Sequence, residues 1–209
     1  MGGAVGGDFC PQISKEFGKT LGQGEGFGNE TPWAEFNIYC DPEAAQAVFS
    51  NPVIAAKTTL ITLDLTHQCL ATKEIRERFL GSRKPSQLRL FLHEILTFFA
   101  QSYVEWFDVH EGPPLHDPLA VAALFGYDAG IFDEDGDRYD VSVVTDGAHS
   151  PLDSVRGQVG RTVVKKIDES RLASAGGVRI PRKLHTHLFW DVLEQCAMTA
   201  DEKSTGSSR

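Results

Sequence analysis

GNETPWAEFNIYCDPEAA, residues 28–45, is the stretch from which the rest of the chain is read. Asn29, Glu35 and Asn37 stand six and two positions apart, and the run then passes through Asp41-Pro42 into an alanine-rich segment. Asp caps a helix, Pro fits its first turn, and the acidic Glu43 suits the positive end of the helix dipole. A helix is therefore predicted from residue 41 to about 49, ended by Asn51-Pro52. Asn both donates and accepts, and Glu accepts through two oxygens. That mix suits a polyhydroxylated ligand such as a sugar, and it equally fits a strand end with polar side chains turned outward.

Outward from this stretch, strands and helices alternate. Residues 58–66 are rich in leucine and β-branched types and predict a strand. Residues 71–80 predict a short helix stopped by Gly81. Apolar residues at 88, 91, 92, 95, 96, 98, 99 and 103 have helical spacing and predict one long helix over 86–106. Gly112-Pro113-Pro114 breaks the chain, and Asp117-Pro118 starts another helix, with Asp117 as its cap, through Phe125. Residues 139–145 and 161–165 alternate as two paired strands, 184–198 form a last helix, and the polar residues 199–209 read as a disordered tail. The pattern is that of an α/β protein with a single domain over residues 1–198. Ligands of such sheets lie at the C-terminal strand ends, and both Asp-Pro segments stand at helix starts near them.

Composition narrows the function. Of 209 residues 41% are apolar, enough for a core, and the formal net charge is −9. An acidic chain is a poor partner for a nucleic-acid backbone, so no nucleic-acid partner is expected. No apolar run reaches the roughly 18 residues that span a bilayer, so no membrane partner is expected either. Four widely spaced cysteines without a CxxC pair read as reduced thiols, and with no leader recognised the expected location is cytoplasmic. Residues 5–28 are glycine-rich without a dinucleotide or phosphate-loop frame and read as an inserted loop.

A second run carries sharper chemistry: PLHDPLAVAALF, residues 114–125. Asp117 sets a carboxylate, a hard-cation ligand type, at the positive end of a helix. Asp41-Pro42 has the same local pattern as a plain cap, so spacing alone leaves both roles open for Asp117. His67 reads as a core or supporting residue, and Tyr103 as either a stacking platform or packing.

Together the two runs resemble the inosine-uridine-preferring nucleoside hydrolases, in their order and at a similar separation. LDLTHQ (residues 63–68) and GRTVV (residues 160–164) extend the likeness. The resemblance implies an open mixed sheet flanked by helices and hydrolysis of the N-glycosidic bond of ribonucleosides. Asn29, Glu35 and Asn37 would hold the ribose, with Phe36 beside it and Tyr103 near the base. His116 would protonate the departing base, and Asp117 would bind calcium. The family opens with an aspartate-rich loop of the form DTDPGxDD, and no such run occurs in these 209 residues. The resemblance is therefore to the family's C-terminal portion. A fold incomplete at the N-terminus, weak calcium binding and poor turnover by this chain alone are the expectations. A homo-oligomer, or pairing with a full-length relative, is the expected assembly.

Overall fold

The computed structural model describes residues 1–7, 9, 28, 30–81, 84–133, 137–147, 157–168 and 176–206. Most of the glycine-rich loop, and Asn29 with it, lies outside the described residues. The chain divides into two compact units: Met1–Gln68 with His116–Leu184, and Cys69–Leu115 with His185–Arg209.

The first unit is built on a small sheet. Strand β1 (Arg138–Val143) pairs antiparallel with β2 (Thr162–Lys166) on one side and β3 (Val178–Arg179) on the other, in the order β2-β1-β3. The expected strand pair is thus present, with Val141 opposite Val164. Burial alternates along β1, so Tyr139, Val141 and Val143 face inward. They join Ile38, Phe49, Leu60, Val178 and Ile180 in the core. Each such side chain contributes roughly 1.5–3 kcal/mol by leaving water.

Helices follow the caps. Helix α1 (Phe36–Cys40) is capped by Glu35, α2 (Pro42–Ser50) by Asp41 with Pro42 at the first position, and α3 (Pro52–Ala55) by Asn51. Helix α2, predicted from 41 to about 49, is found nearly as expected.

The strand expected over residues 58–66 is corrected. Only residues 58–60 are extended beside β3: Leu60 N–H donates to Arg179 C=O at 2.9 Å and Arg179 N–H to Thr58 C=O at 3.0 Å, a parallel bridge beside the antiparallel ladder. Residues Leu63–Thr66 then form the short helix α4. The cause is tertiary. Leu63 N–H donates to Gly3 C=O at 2.9 Å, and the Asp64 carboxylate takes the Val5 and Gly6 N–H groups. Those bonds need a turn, and they override the β preference of the side chains.

In the second unit, α5 (Lys73–Leu80) is capped by Thr72 and stopped at Gly81, whose φ of 70° suits glycine. Helix α6 (Gln87–Phe107) has Ser86 as its cap and ends at Asp108 in the left-handed region. Helix α8 (Thr186–Gly206) runs through most of the segment read as a disordered tail. Arg89, on α6 and 7% exposed, explains why: it donates to Asp201 at 2.5 Å, to Glu194 at 2.9 Å and to Phe79 C=O at 3.0 Å. The polar end of α8 is held by that buried guanidinium. The long helix expected from the apolar spacing is present, and its face bearing Leu88, Phe91, Ile95, Phe98, Phe99 and Trp106 stays exposed.

Candidate active site

Glu35 is the most constrained of the candidate residues. It is 2% exposed, and its carboxylate accepts from three backbone N–H groups: Asn37 at 2.9 Å on Oε1, and Gly3 at 2.9 Å and Ile38 at 3.1 Å on Oε2. It therefore starts α1 and fastens the N-terminal segment to it. Asn37, two residues on, is exposed, and its amide lies 3.4 Å from Met1 C=O and 3.5 Å from the Met1 sulfur. Phe36 is 53% exposed. Asn29 lies outside the described residues, so its place in the clamp is a sequence expectation alone.

Gly3 links this corner to the next. Its N–H donates to Glu35 and its C=O accepts from Leu63. Its φ is 79°, and a Cβ there would sit 3.0 Å from Thr162 Oγ1, so a larger residue is strained on both counts. Asp64, on α4, is 2% exposed and binds Val5 N–H at 2.9 Å and Gly6 N–H at 2.7 Å. Burial pushes its carboxyl above the ordinary range, against the pull of those two bonds. Sequence reading did not single out Asp64, although it lies inside the LDLTHQ run. A carboxylate between leucines on a short apolar stretch was the available signal.

His116 stands at the head of helix α7 (Asp117–Ala122). The expected cap is corrected here: the capping position is His116, without a side-chain cap bond, and Asp117 is the first helical residue. Asp117 is exposed. The His116 ring is partly buried, with Nδ1 2.8 Å from Thr66 Oγ1. Burial lowers its pKa to about 4. His67 is packed edge-on against it, with ring centroids 5.7 Å apart. Its pKa falls to about 3, first through burial and then through the neighbouring His116. Both rings are neutral at pH 7. The expectation for His67 as a buried supporting residue agrees with its 4% exposure.

One unit thus gathers Glu35, Phe36, Asn37, His116 and Asp117. The hydrogen bonds run from Glu35 through Gly3 to Leu63, and α4 then carries Thr66 to His116. Tyr103 belongs to the other unit, where its ring tilts against Phe107 at 5.1 Å and burial raises its pKa to about 12.

Calcium takes about six to eight oxygens. Among the described residues no group of three or more His, Cys, Asp or Glu side chains could hold a metal ion. Glu35 and Asp64 are occupied by backbone N–H groups, which leaves Asp117 as the exposed carboxylate beside His116. The described residues do not make up a calcium shell. No helix among the described residues is long and apolar enough to cross a membrane. Cys40, Cys69 and Cys196 are free thiols, and burial raises the pKa of Cys69.

Residues 1–191 match the inosine-uridine preferring nucleoside hydrolase family, and the chain belongs to it. It is 32% identical over 188 residues to a uridine nucleosidase of Saccharomyces cerevisiae, covering 86% of this chain and 52% of the relative. It is 36% identical over 177 residues to a probable ribonucleoside hydrolase of Dictyostelium discoideum, covering 83% and 47%. Among solved structures, a purine-preferring ribonucleoside hydrolase from Gardnerella vaginalis aligns with a TM-score of 0.61 at 24% identity, over 94% of this chain and 51% of that one. That likeness supports the α/β fold. The chain spans about half the length of the curated relatives it matches.

Proposed function

We propose that this chain binds ribonucleosides through the ribose and serves their hydrolysis to free base and ribose, with uridine or inosine as the substrate type. The carrying observation is the hydrogen-bonded path that joins the Glu35–Asn37 corner to His116 inside one unit. In this reading Asn37 and Asn29 hold ribose hydroxyls and Phe36 packs beside the sugar. Glu35 keeps Asn37 in place and has acceptor capacity left on Oε1 for one hydroxyl. His116 serves the departing base, which gains negative charge as the ribose gains oxocarbenium character. Asp117 is the carboxylate that would give calcium one oxygen, far short of the about six to eight that the ion takes.

Because the described carboxylates leave that shell incomplete, turnover by this chain alone is expected to be slow. The competing reading is a nucleoside-binding or regulatory paralogue, favoured by the occupation of Glu35 and Asp64 by backbone groups. Ribose release from uridine and inosine, with and without calcium, separates the two. Slow, calcium-dependent release supports the hydrolase. Tight binding with no release supports the paralogue.

Self-association belongs to the same proposal, with a second copy of the chain as the partner. The exposed stripe on α6 recurs at three- and four-residue steps, from Leu88 through Phe91, Ile95 and Phe98. Covering it in two copies would bury on the order of 1,000 Å², the lower bound for a specific interface. A full-length relative is the alternative occupant.

A further inference from the structure

GRTVV, residues 160–164, supplies no side chain to the proposed reaction, yet it begins against the corner that bears Glu35 and Asn37. Two neighbours make the contact. Gly160 lacks a side chain where the head of β2 meets α1: a Cβ there would stand 2.9 Å from Ala34 Cβ and 3.2 Å from Tyr39 Cα. Arg161 makes an antiparallel bridge to Ala34, the residue before Glu35. The Arg161 backbone is itself fixed. Its C=O accepts from Val144 N–H at 3.0 Å, and its N–H donates to Gln158 C=O at 2.9 Å.

The Arg161 side chain reaches one residue further back. Its guanidinium carbon lies 4.9 Å from the centre of the Trp33 ring, within cation–π range. Nη1 donates to Gln158 Oε1 at 2.6 Å, and among the described residues no carboxylate pairs with this cation. A neutral amide thus steadies the guanidinium without cancelling the charge that the ring attracts. Trp33 belongs to a turn that is tied to itself. Thr31 Oγ1 accepts from Trp33 N–H at 3.2 Å and from Ala34 N–H at 3.0 Å, and Ala34 C=O accepts from Glu30 N–H at 3.2 Å. The turn leads directly into the Glu35 cap of α1.

We infer that Arg161 is a positioning residue for the ribose corner: by holding Trp33 and Ala34 against the head of β2 it sets where Glu35 and, through Glu35, Asn37 stand. The inference rests on the reading of Asn37 as a ribose contact. A corner held in place meets the sugar in its competent form. One that drifts loses affinity by the fraction of time it spends out of place.

The test is titration calorimetry of the full chain with uridine and with ribose. Arg161→Met keeps the backbone bridge and removes the cation, and it should weaken both ligands by about three- to tenfold. Arg161→Lys keeps a cation for the ring and should recover most of that loss. Trp33→Leu leaves the sheet untouched and should weaken binding about as much as Arg161→Met, so it gives the reading even if the methionine variant fails to fold. Combining the two should add little, because each removes the same contact. Arg179→Met takes a cation from the ring of Tyr127, 4.8 Å away in the same unit, and should leave affinity unchanged. Equal losses from methionine and lysine at position 161, or fully additive losses in the double variant, overturn the inference.

Amide hydrogen exchange without ligand separates this inference from the reading beneath it. Glu35 holds the Gly3, Asn37 and Ile38 N–H groups, and Arg161→Met or Trp33→Leu should speed their exchange. The amides shared between β1 and β2 should stay as slow as in wild type. Unchanged exchange at the three Glu35-bound amides overturns the positioning role. A rise of equal size along β1 overturns it too, since that marks a general loss of stability. If the wild-type chain binds neither ligand, or Asn37→Ala leaves affinity unchanged, the reading of Asn37 falls and exchange alone decides the role of Arg161.

Discussion

Replacing Glu35 with glutamine tests whether this residue is a structural fastener before it is a sugar contact. Its carboxylate accepts from Gly3 and Ile38 on one oxygen and from Asn37 on the other, at 2.9, 3.1 and 2.9 Å. An amide has a single acceptor oxygen. Turned towards Gly3 and Ile38, it sets its NH₂ against the Asn37 N–H, donor facing donor. Hydrogen bonds to a charged group contribute about 1.5–3 kcal/mol and neutral ones about 0.5–1.5 kcal/mol. Losing one and weakening two should therefore cost roughly 2–4 kcal/mol. Urea unfolding with an unchanged slope reports it as a lowered midpoint. The control is Asn37→Ala, whose exposed side chain makes contacts of 3.4 and 3.5 Å among the described residues, so its stability should stay within about 0.5 kcal/mol of wild type. A Glu35→Gln variant as stable as wild type would refute the fastening role.

Other outcomes follow from the same contacts. His67 titrates near 3 in the fold against an ordinary 6.5, so acid protonates the unfolded chain first. Stability should be level above pH 6.5 and fall as the pH drops from there towards 3, and His67→Gln should flatten that slope in a pH series of unfolding curves. In the second unit, hydrogen bonds from Ser86 and then Arg89 hold Asp201 below the usual carboxylate range. That contribution is present above the ordinary value of 3.8 and lost as acid protonates the group, a dependence that Arg89→Met should weaken and Ser86→Ala with Arg89→Met should remove. Arg89→Met should also lower the melting temperature by roughly 5–15 °C, since it leaves Glu194 and Asp201 without their cation. Phe91→Glu with Phe98→Glu should shift sedimentation towards monomer if the α6 stripe joins two copies, and an unchanged distribution would count against that surface.

Where local chemistry decided the structure, the sequence was legible. Asp41-Pro42 both signalled and made the start of α2, and the alternation over 139–145 announced β1. Where distant partners decided it, the pattern misled. The LDLT run reads as strand, but Asp64 finds its donors at Val5 and Gly6, 59 and 58 positions away, and the turn they require is helical. The end of α8 reads as tail, but Asp201 is held by Arg89 from 112 positions away. At the site, sequence placed His116 beside Asp117 but could not foresee Thr66 on its ring, because that contact spans 50 positions. Glu35 was read as a ligand contact, and nothing in its spacing announced that Gly3 N–H would claim it from 32 positions away.

The most direct test of the account is titration calorimetry of the chain with uridine, inosine and free ribose, repeated on Asn37→Ala. If the ribose carries recognition, both nucleosides bind, ribose competes with each, and the substitution weakens all three alike. No binding of any of the three, or binding that Asn37→Ala leaves untouched, would contradict it.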